Sequence, residues 1–457
     1  MGSENEQPKE IAVVMVPLPA QGHLNPLLHL SSQIAAGGIH VHYVSSATHN
    51  RQARHRFHGL NLAAAASHLH FHDLDFPSGP NPKPNPDNPV KFPTHLQPSF
   101  DATWAHLLPH LSSLLISLSP SHRRIALLVD SAMSFAIDAA SAVQNAEAFA
   151  FHPSSAICSV CYLDQTEFDG GAAFRSFFSE GFLQFINRQR PMKNRVAGRL
   201  FNTCRWIEQK YLDRLSEKPV FSGQRIFAIG PLNPAVAAGR SEGGCLISWL
   251  DEQPAASVVY VSFGTTSTMS KEQVREIAAG LEASRQRFIW VRRDADRCDI
   301  FEDGEEQVVD FDLVEFEKRM EGKGKLVRGW APQLEILAHP SIGGFLSHCG
   351  WNSCLEAMSS GVPILAWPMH SDQPANAFLV TEVLMTGIPV KKGTAEEELV
   401  TAETVRESLE RLMAGGDEGK ELRRRAREMG EKLRAAVKEG GSSKQDFDAF
   451  LDRIMRP

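Results

Sequence analysis

At 457 residues the chain has the length for two or three domains, each able to bury its own core. Its 42% hydrophobic and 22% charged residues suit a globular enzyme, and a formal net charge of -7 argues against nucleic acid as the main partner, since phosphate backbones need a basic footprint. No apolar run approaches the ~18 residues of a membrane span, the polar start MGSENEQPKE is no secretory signal, and Glu6 breaks the myristoylation pattern.

In chain order, residues 11–17 (IAVVMVP) are a short β-branched run, read as a buried parallel strand. A helix is expected over about 26–36, closed by Gly37 and Gly38, then a strand over 40–46 (HVHYVSS). Strand, helix and strand at this spacing form a βαβ crossover. The Pro- and Asn-rich stretch 77–98 reads as a long irregular loop, of the kind that serves as a lid or binding segment. IALLVD (125–130) is a further strand, with a helix running on through Val143. Residues 228–244 are rich in Ala, Gly and Pro without periodicity and read as an interdomain linker.

The second half repeats the pattern. A strand over 258–264 ends in Gly, and the amphipathic helix KEQVREIAAGLEAS and the strand RFIWVRR follow. Strand-end segments are expected at 326–330, 343–348 and 363–368, and a helix with patterned charges at 418–437. EGGSS (439–443) breaks it, and a last helix runs to about Met455. The expected fold class is α/β, with two Rossmann-like doubly wound domains facing a cleft. They are placed at residues 1–236 and 237–440, with 441–457 as a helix returning to the first. Ligands of such sheets bind at the carboxyl ends of the strands.

Two stretches concentrate chemistry. The first is 330–373, WAPQLEILAHPSIGGFLSHCGWNSCLEAMSSGVPILAWPMHSDQ, which sets indoles, histidines, a glutamate and a terminal Asp-Gln among glycine turns. Within it SHCGWNS (347–353) reads as a strand end, a tight turn and a helix start. A helix N-terminus offers free N–H groups and partial positive charge, which suits a diphosphate. Read singly, Trp330 is more often a core or interface indole, and Asn352 and Ser353 are more often helix caps.

The second stretch is PLPAQGHLNPLLHL (17–30). His23 follows a strand and starts a helix, so its imidazole stands at a strand's carboxyl end. A neutral imidazole there can take a proton from a hydroxyl. His29 is the nearby rival, but inside the helix packing is its plainer reading. A catalytic histidine needs a partner that orients it and stabilises its charge. Asp130, ending IALLVD on the same sheet, is placed for this, with an N-cap as the competing reading.

The segment 330–373 resembles the donor-binding box of the plant family 1 UDP-sugar glycosyltransferases, in order and without a gap. The resemblance implies a GT-B type fold and an inverting displacement at the anomeric carbon. UDP-glucose would be the co-substrate, with no other cofactor and no metal. It implies that Trp330 stacks the uracil and Gln333 reads its edge. His348, Asn352 and Ser353 would donate to the diphosphate at the helix start that holds Trp351. Glu356 would accept the ribose hydroxyls, and Asp372 and Gln373 would hold the sugar, the terminal Gln going with glucose. Thr265 and Thr266 look like the family's hydroxyl contacts to the diphosphate, with capping as the alternative. His23 falls in the context of the family's catalytic base, and Asp130 matches its partner. Met133, His152, Ser154 and His370 fall in segments that line the family's acceptor cleft.

Within that family the chain is similar to the zeatin O-glucosyltransferases, through PAQGHLNPLLHLS, VHYVSSATHNRQAR, LHFHDLD, FPTHLQPSF, FAIGPLNP, DADRCDIF and WPMHSDQP. The implied acceptor is the side-chain hydroxyl of a cytokinin such as trans- or cis-zeatin, with flavonoids or other phenols as the alternative. Pro26 departs from the Gln frequent in that subgroup, and is tolerated early in a helix. A non-catalytic sugar-nucleotide binder would lack His23 or Asp130, and a nucleotide-sugar epimerase would lack this box.

Other signals carry less. Cys158 and Cys161 have CxxC spacing but no second pair, so zinc and redox roles are not expected. The odd count of seven cysteines fits free thiols in a reducing cytosol. His68, His70 and His72 alternate, and read as a solvated strand face with Leu69 and Phe71 buried. GxGxxG and GxxxxGK[ST] are both absent, which disfavours NAD or ATP. A cytoplasmic monomer without membrane insertion is expected.

Overall fold

The computed structural model describes residues 10–56, 65, 67–76, 81–88, 92–166, 173–233, 244–301, 311–390 and 399–456. The centre of the expected linker, 234–243, lies outside them, as do 77–80 and 89–91 of the expected loop.

Seven strands form the first sheet: β1 (Glu10–Val16), β2 (His40–Ser46), β3 (Leu69–Leu74), β4 (His122–Asp130), β5 (Ala146–His152), β6 (Gly198–Phe201) and β7 (Arg225–Ala228). Their order is β3-β2-β1-β4-β5-β6-β7, parallel throughout. The second sheet has β8 (Val258–Ser262), β9 (Arg287–Val291), β10 (Gly324–Val327), β11 (Ile342–Ser347), β12 (Ile364–Ala366) and β13 (Gly387–Pro389). Its order is β10-β9-β8-β11-β12-β13, again parallel. Each sheet reverses its winding once, beside β1 and beside β8, and doubly wound sheets bind ligands at such switch points. Near-continuous apolar runs suit strands covered by helices on both faces. Val13, Val14, Leu127 and Val261 are accordingly fully buried.

The first helix starts at Gln21 and ends at Ala36, five residues earlier than expected, and carries Pro26 inside it. Proline has no N–H for the carbonyl four residues back, here Gly22, whose oxygen finds another partner across the cleft. The stretch after Asp130 is not an α-helix but a 3₁₀ winding, Ser131–Ala142, broken at Met133. The irregular loop ends sooner than expected: Thr94–Leu96 is a 3₁₀ turn, and a long helix over Gln97–Leu118 follows, unforeseen in the sequence.

The last helix, Ser442–Met455, packs on the first sheet. Phe450 meets Phe149 and Phe227 edge-on, at 5.4 and 5.8 Å. Asp446 accepts from the Ala228 amide at 2.9 Å. The alternating histidines are not simply solvated. Leu69 is buried, but Phe71 is only half-buried. His70 pairs with His40 at 2.9 Å and His72 with His42 at 2.8 Å, forming a ladder of imidazoles across β2 and β3.

Candidate functional site

The parallel register of β1 and β4 pairs Val16 with Val129, so the next residue of β4, Asp130, emerges beside the turn that leads to His23. His23 Nδ1 lies 2.7 Å from Asp130 Oδ2. The carboxylate is fully buried and the imidazole about 30% exposed. Asp130 Oδ1 also accepts from the Ala132 amide at 2.8 Å, so the competing N-cap reading holds as well, on the other oxygen. A carboxylate here can only accept, so Nδ1 carries the proton and Nε2 is the free nitrogen of a ring that lines the cavity. Burial alone would lower the His23 pKa. The charge and hydrogen bond of Asp130, with a smaller pull from Asp372, outweigh it and hold the pKa above 6.5.

At the second switch point β11 pairs Ser347 with Ser262 of β8, so His348 faces Gly264. His348 is wedged between two glycines: a Cβ on Gly264 or Gly350 would stand 2.4 or 2.5 Å from its Nε2. Burial lowers its pKa to about 4, so it is a neutral donor at pH 7. Thr265 and Thr266 follow Gly264 on the cavity wall. Gly350 precedes the helix Trp351–Ser360, and no side chain caps its amides. Cys349 (φ 62) and Ser371 (φ 61) take left-handed backbone just before helices that face the cleft. Such non-glycine conformations cost roughly 1 kcal/mol each and concentrate at functional sites.

This helix start is tied to the first domain twice. Trp351 donates its indole N–H to the Asn202 carbonyl at 2.7 Å. Asn352 Nδ2 donates to the Gly22 carbonyl at 2.9 Å, the oxygen that Pro26 leaves free. One turn on, burial raises the Glu356 pKa to about 7, partly offset by Gln333. Gln333 donates to Glu356 at 2.6 Å and to Ser353 at 3.0 Å, and accepts from Tyr260 at 3.2 Å. Asp372 accepts from Asn376 at 2.9 Å, and the Gln373 side-chain carbonyl accepts the amides of Met369 and His370.

His23, Thr265, Thr266, Trp330, Gln333, His348, Trp351, Asn352, Ser353, Glu356, Asp372 and Gln373 line one cavity of about 820 Å³ between the sheets, a size usual for small-molecule sites, while Asp130 lies behind His23 and does not reach it. His152, Ser154 and His370 line it too, with Phe92, Phe178 and Phe182 forming an aromatic wall. Met133 does not. It is fully buried in the core of the first domain, because the 3₁₀ winding after Asp130 turns it inward and leaves Ser131 and Ala132 at the cavity.

Sequence reasoning missed a clasp beside Trp330. Arg56 and Arg293 both pair with Asp296, and their guanidinium carbons lie 5.0 and 5.6 Å from the Trp330 ring centre. His95 Nε2 reaches the Asp296 carbonyl at 2.7 Å. The only signal was the unusual DADRCDIF segment, whose partners Arg56 and His95 lie 240 and 201 residues away in the chain and cannot be paired by local reading.

Two parallel doubly wound domains with a shared cleft define the class of GT-B type transferases, and comparison with known proteins specifies it. Residues 9–234 match the family model of the glycosyltransferase N-terminal domain, and residues 244–417 that of the UDP-glucoronosyl and UDP-glucosyl transferases. The chain is 44% identical to cis-zeatin O-glucosyltransferase 1 of Zea mays, over 98% of this chain and 99% of that protein. It is 41% identical to zeatin O-xylosyltransferase of Phaseolus vulgaris, over 99% of each. A Medicago truncatula UGT complexed with UDP-glucose superposes with a TM-score of 0.73, at 26% identity over 97% of this chain and 98% of that one. A Phytolacca americana UGT complexed with UDP-2-fluoro-glucose and pterostilbene gives 0.76, at 25% identity over 98% and 100%. The chain belongs to the plant UDP-glycosyltransferase family and is a UDP-dependent glycosyltransferase. Among the described residues no helix is long and apolar enough to cross a membrane.

Proposed function

We propose that this enzyme is an inverting O-glucosyltransferase that moves glucose from UDP-glucose to a hydroxyl of a small hydrophobic acceptor, foremost a cytokinin of the zeatin type. The His23–Asp130 pair carries the chemistry, and the full-length likeness to zeatin transferases carries the acceptor. His23 Nε2 takes the acceptor's hydroxyl proton while the oxygen attacks the anomeric carbon from the face opposite the diphosphate. The anomeric C–O bond breaks, UDP leaves, and Asp130 stabilises the imidazolium.

The amides at Trp351, Asn352 and Ser353, with His348, Thr265 and Thr266, receive the growing charge of the diphosphate. Those donors suffice without a metal in this reading. Trp330 stacks the uracil, Gln333 borders it, and Glu356 takes the ribose hydroxyls. Asp372 and Gln373 hold the glucose, and the pull of Asp372 on His23 supports a sugar site beside the base. His152, Ser154 and His370 border the acceptor. The division into 1–236, 237–440 and 441–457, the monomeric state and a cytoplasmic setting belong to the same proposal. Free cysteines at every cysteine position suit a reducing compartment.

The test offers UDP-glucose and UDP-xylose with trans-zeatin, cis-zeatin and a set of flavonols, and follows the products by mass. A zeatin hexoside as the fastest product is the expected result. A flavonol hexoside leading instead would overturn the acceptor and keep the transferase, and a leading pentoside would overturn the sugar.

A further inference from the structure

Away from the carboxylates of Glu356 and Asp372, the acceptor half of the cavity has a wall of the opposite sign. Arg199 is only 3% exposed, yet it borders the cavity beside Lys193, His152 and Phe221. Its donors meet neutral acceptors only. Nε donates to Gln224 Oε1 at 2.6 Å, Nη1 to His152 Nε2 at 3.3 Å, and Nη2 to the carbonyls of Val220 and Lys193. The guanidinium also lies over Phe221, 4.4 Å from the ring centre. Neither Arg199 nor Lys193 forms an ion pair with a carboxylate among the described residues. The Lys193 ammonium lies 5.8 Å from the Tyr162 ring centre. Burial, then Arg199, Arg190 and Arg175, push its pKa down to about 8.

A guanidinium can only donate, so His152 Nε2 must accept and Nδ1 must carry the proton. Burial, then Arg199 and Lys193, hold this ring neutral. The wall therefore offers donors: the Lys193 ammonium, the His152 Nδ1–H and the hydroxyls of Ser154 and Ser159. Burying cations without counter-charge is unfavourable unless a ligand supplies the charge.

We propose that Lys193, backed by Arg199 and His152, is an oxyanion subsite in the acceptor half of the cleft, binding a carboxylate or phosphate on the acceptor. Lys193 makes the contact, and Arg199 positions it through its carbonyl while adding charge behind it. The proposal rests on the transferase reading above only for which half of the cavity receives the acceptor. Among small hydrophobic acceptors of that kind it favours those that also carry an anionic group at the end away from the reactive hydroxyl, whether a hydroxylated acid or a nucleotide.

Two matched pairs test it: a zeatin-type nucleoside against its 5′-monophosphate, and 4-hydroxycinnamate against its methyl ester. Calorimetry measures binding of each to the full chain, with UDP saturating the donor half. In at least one pair the charged member should bind about tenfold or more tightly, the worth of a charge-assisted hydrogen bond. The pair that shows it separates phosphate from carboxylate. Lys193→Met should collapse the preference and Lys193→Arg should retain it, while UDP affinity reports that both variants are folded. Equal or weaker binding of both charged members to wild type overturns the subsite, as does a preference that survives Lys193→Met. Turnover of the same compounds is read separately. Selective, Lys193-dependent binding without any product would leave the subsite standing and remove the acceptor reading.

Discussion

Replacing Asp130 by Asn or by Ala separates two tasks of one buried carboxylate. Oδ2 holds His23 Nδ1 at 2.7 Å and Oδ1 caps the Ala132 amide at 2.8 Å, both out of contact with water. An amide has a single oxygen. If it caps Ala132, the NH2 group faces Nδ1, which must then accept, so the proton moves to Nε2 and the base nitrogen loses its lone pair. If it faces His23 instead, the NH2 group opposes the Ala132 N–H and leaves that buried donor unsatisfied, at about 1–3 kcal/mol. The capped orientation wins by that margin, and with it the wrong tautomer. Loss of the charge that stabilises the imidazolium adds to the effect. The expected fall in kcat/KM for Asp130→Asn is roughly 10³–10⁴, by analogy with the same exchange in a serine protease triad.

Asp130→Ala removes the cap and should lower stability by about 0.5–2 kcal/mol, yet it imposes no tautomer. Activity should therefore rank wild type, Ala, Asn, while stability ranks Asn above Ala. Neutral His23 is the acting form, so the rate rises with pH through its pKa. Wild type should show that limb above pH 6.5, and in Asp130→Ala, where burial is the main remaining influence, the limb should move below it. Steady-state rates from pH 5 to 9, thermal unfolding and UDP affinity measure all of this. An Asn variant within tenfold of wild type, with UDP binding intact, would refute the role given to Asp130.

Three further outcomes are expected. Gly264→Ala combines a backbone φ of 76° with a Cβ 2.4 Å from His348 Nε2, and should weaken UDP-glucose binding by about tenfold or more in calorimetry; unchanged affinity would separate His348 from the diphosphate. With its pKa near 7, Glu356 loses its charge as pH falls, so the dissociation constant of UDP-glucose should rise from pH 8 to pH 6 in wild type. In Glu356→Gln it should be weaker and flat, and a wild-type constant flat over that range would count against ribose contact. Burial, then His72, His70, His122 and His40, depress the His42 pKa to about 3. The unfolded chain thus takes up a proton below pH 6.5 that the folded chain refuses until about 3, so stability is lost as pH falls through that window. Scanning calorimetry should show a Tm that drops between pH 7 and 5.5, less steeply in His42→Gln; equal slopes would remove His42 from the cause.

Much of the architecture was legible because parallel strands buried on both faces announce themselves as short β-branched runs, as at IAVVMVP, IALLVD and VVYVSFG. Placing His23 and Asp130 together needed only that β1 and β4 be neighbours, which the doubly wound order supplies. Failures came where a partner far along the chain decides the local outcome. The sequence pattern suggests a helix from about Pro26, whereas the helix starts at Gln21. Its earlier start leaves a carbonyl that Asn352, 330 residues away, accommodates. The family resemblance puts the segment of Met133 at the acceptor cleft, but a 3₁₀ winding alters side-chain direction within three residues and buries this side chain in the core. The helix over Gln97–Leu118 was hidden by the prolines before it and by Pro109 within it.

The two cross-domain bonds at the start of the Trp351–Ser360 helix bear differently on ligand binding. Trp351 is buried, and its indole N–H is taken up by the Asn202 carbonyl. Its bond fixes how closely the helix start approaches the first domain. Asn352 holds Gly22, the residue before the proposed base, through an amide on the cavity wall. In the proposed donor complex that amide also faces a phosphate. Its two N–H groups permit both contacts at once only while Gly22 and the diphosphate stand on either side of it. Donor position and the backbone that carries His23 are then read by one side chain. Pro26 offers the Gly22 carbonyl no helical N–H, so the bond from Asn352 has no competitor from that position of the helix. The proline that departs from the Gln frequent in the zeatin subgroup thus sits behind the contact that would join the proposed sugar-nucleotide half of the cleft to the proposed base.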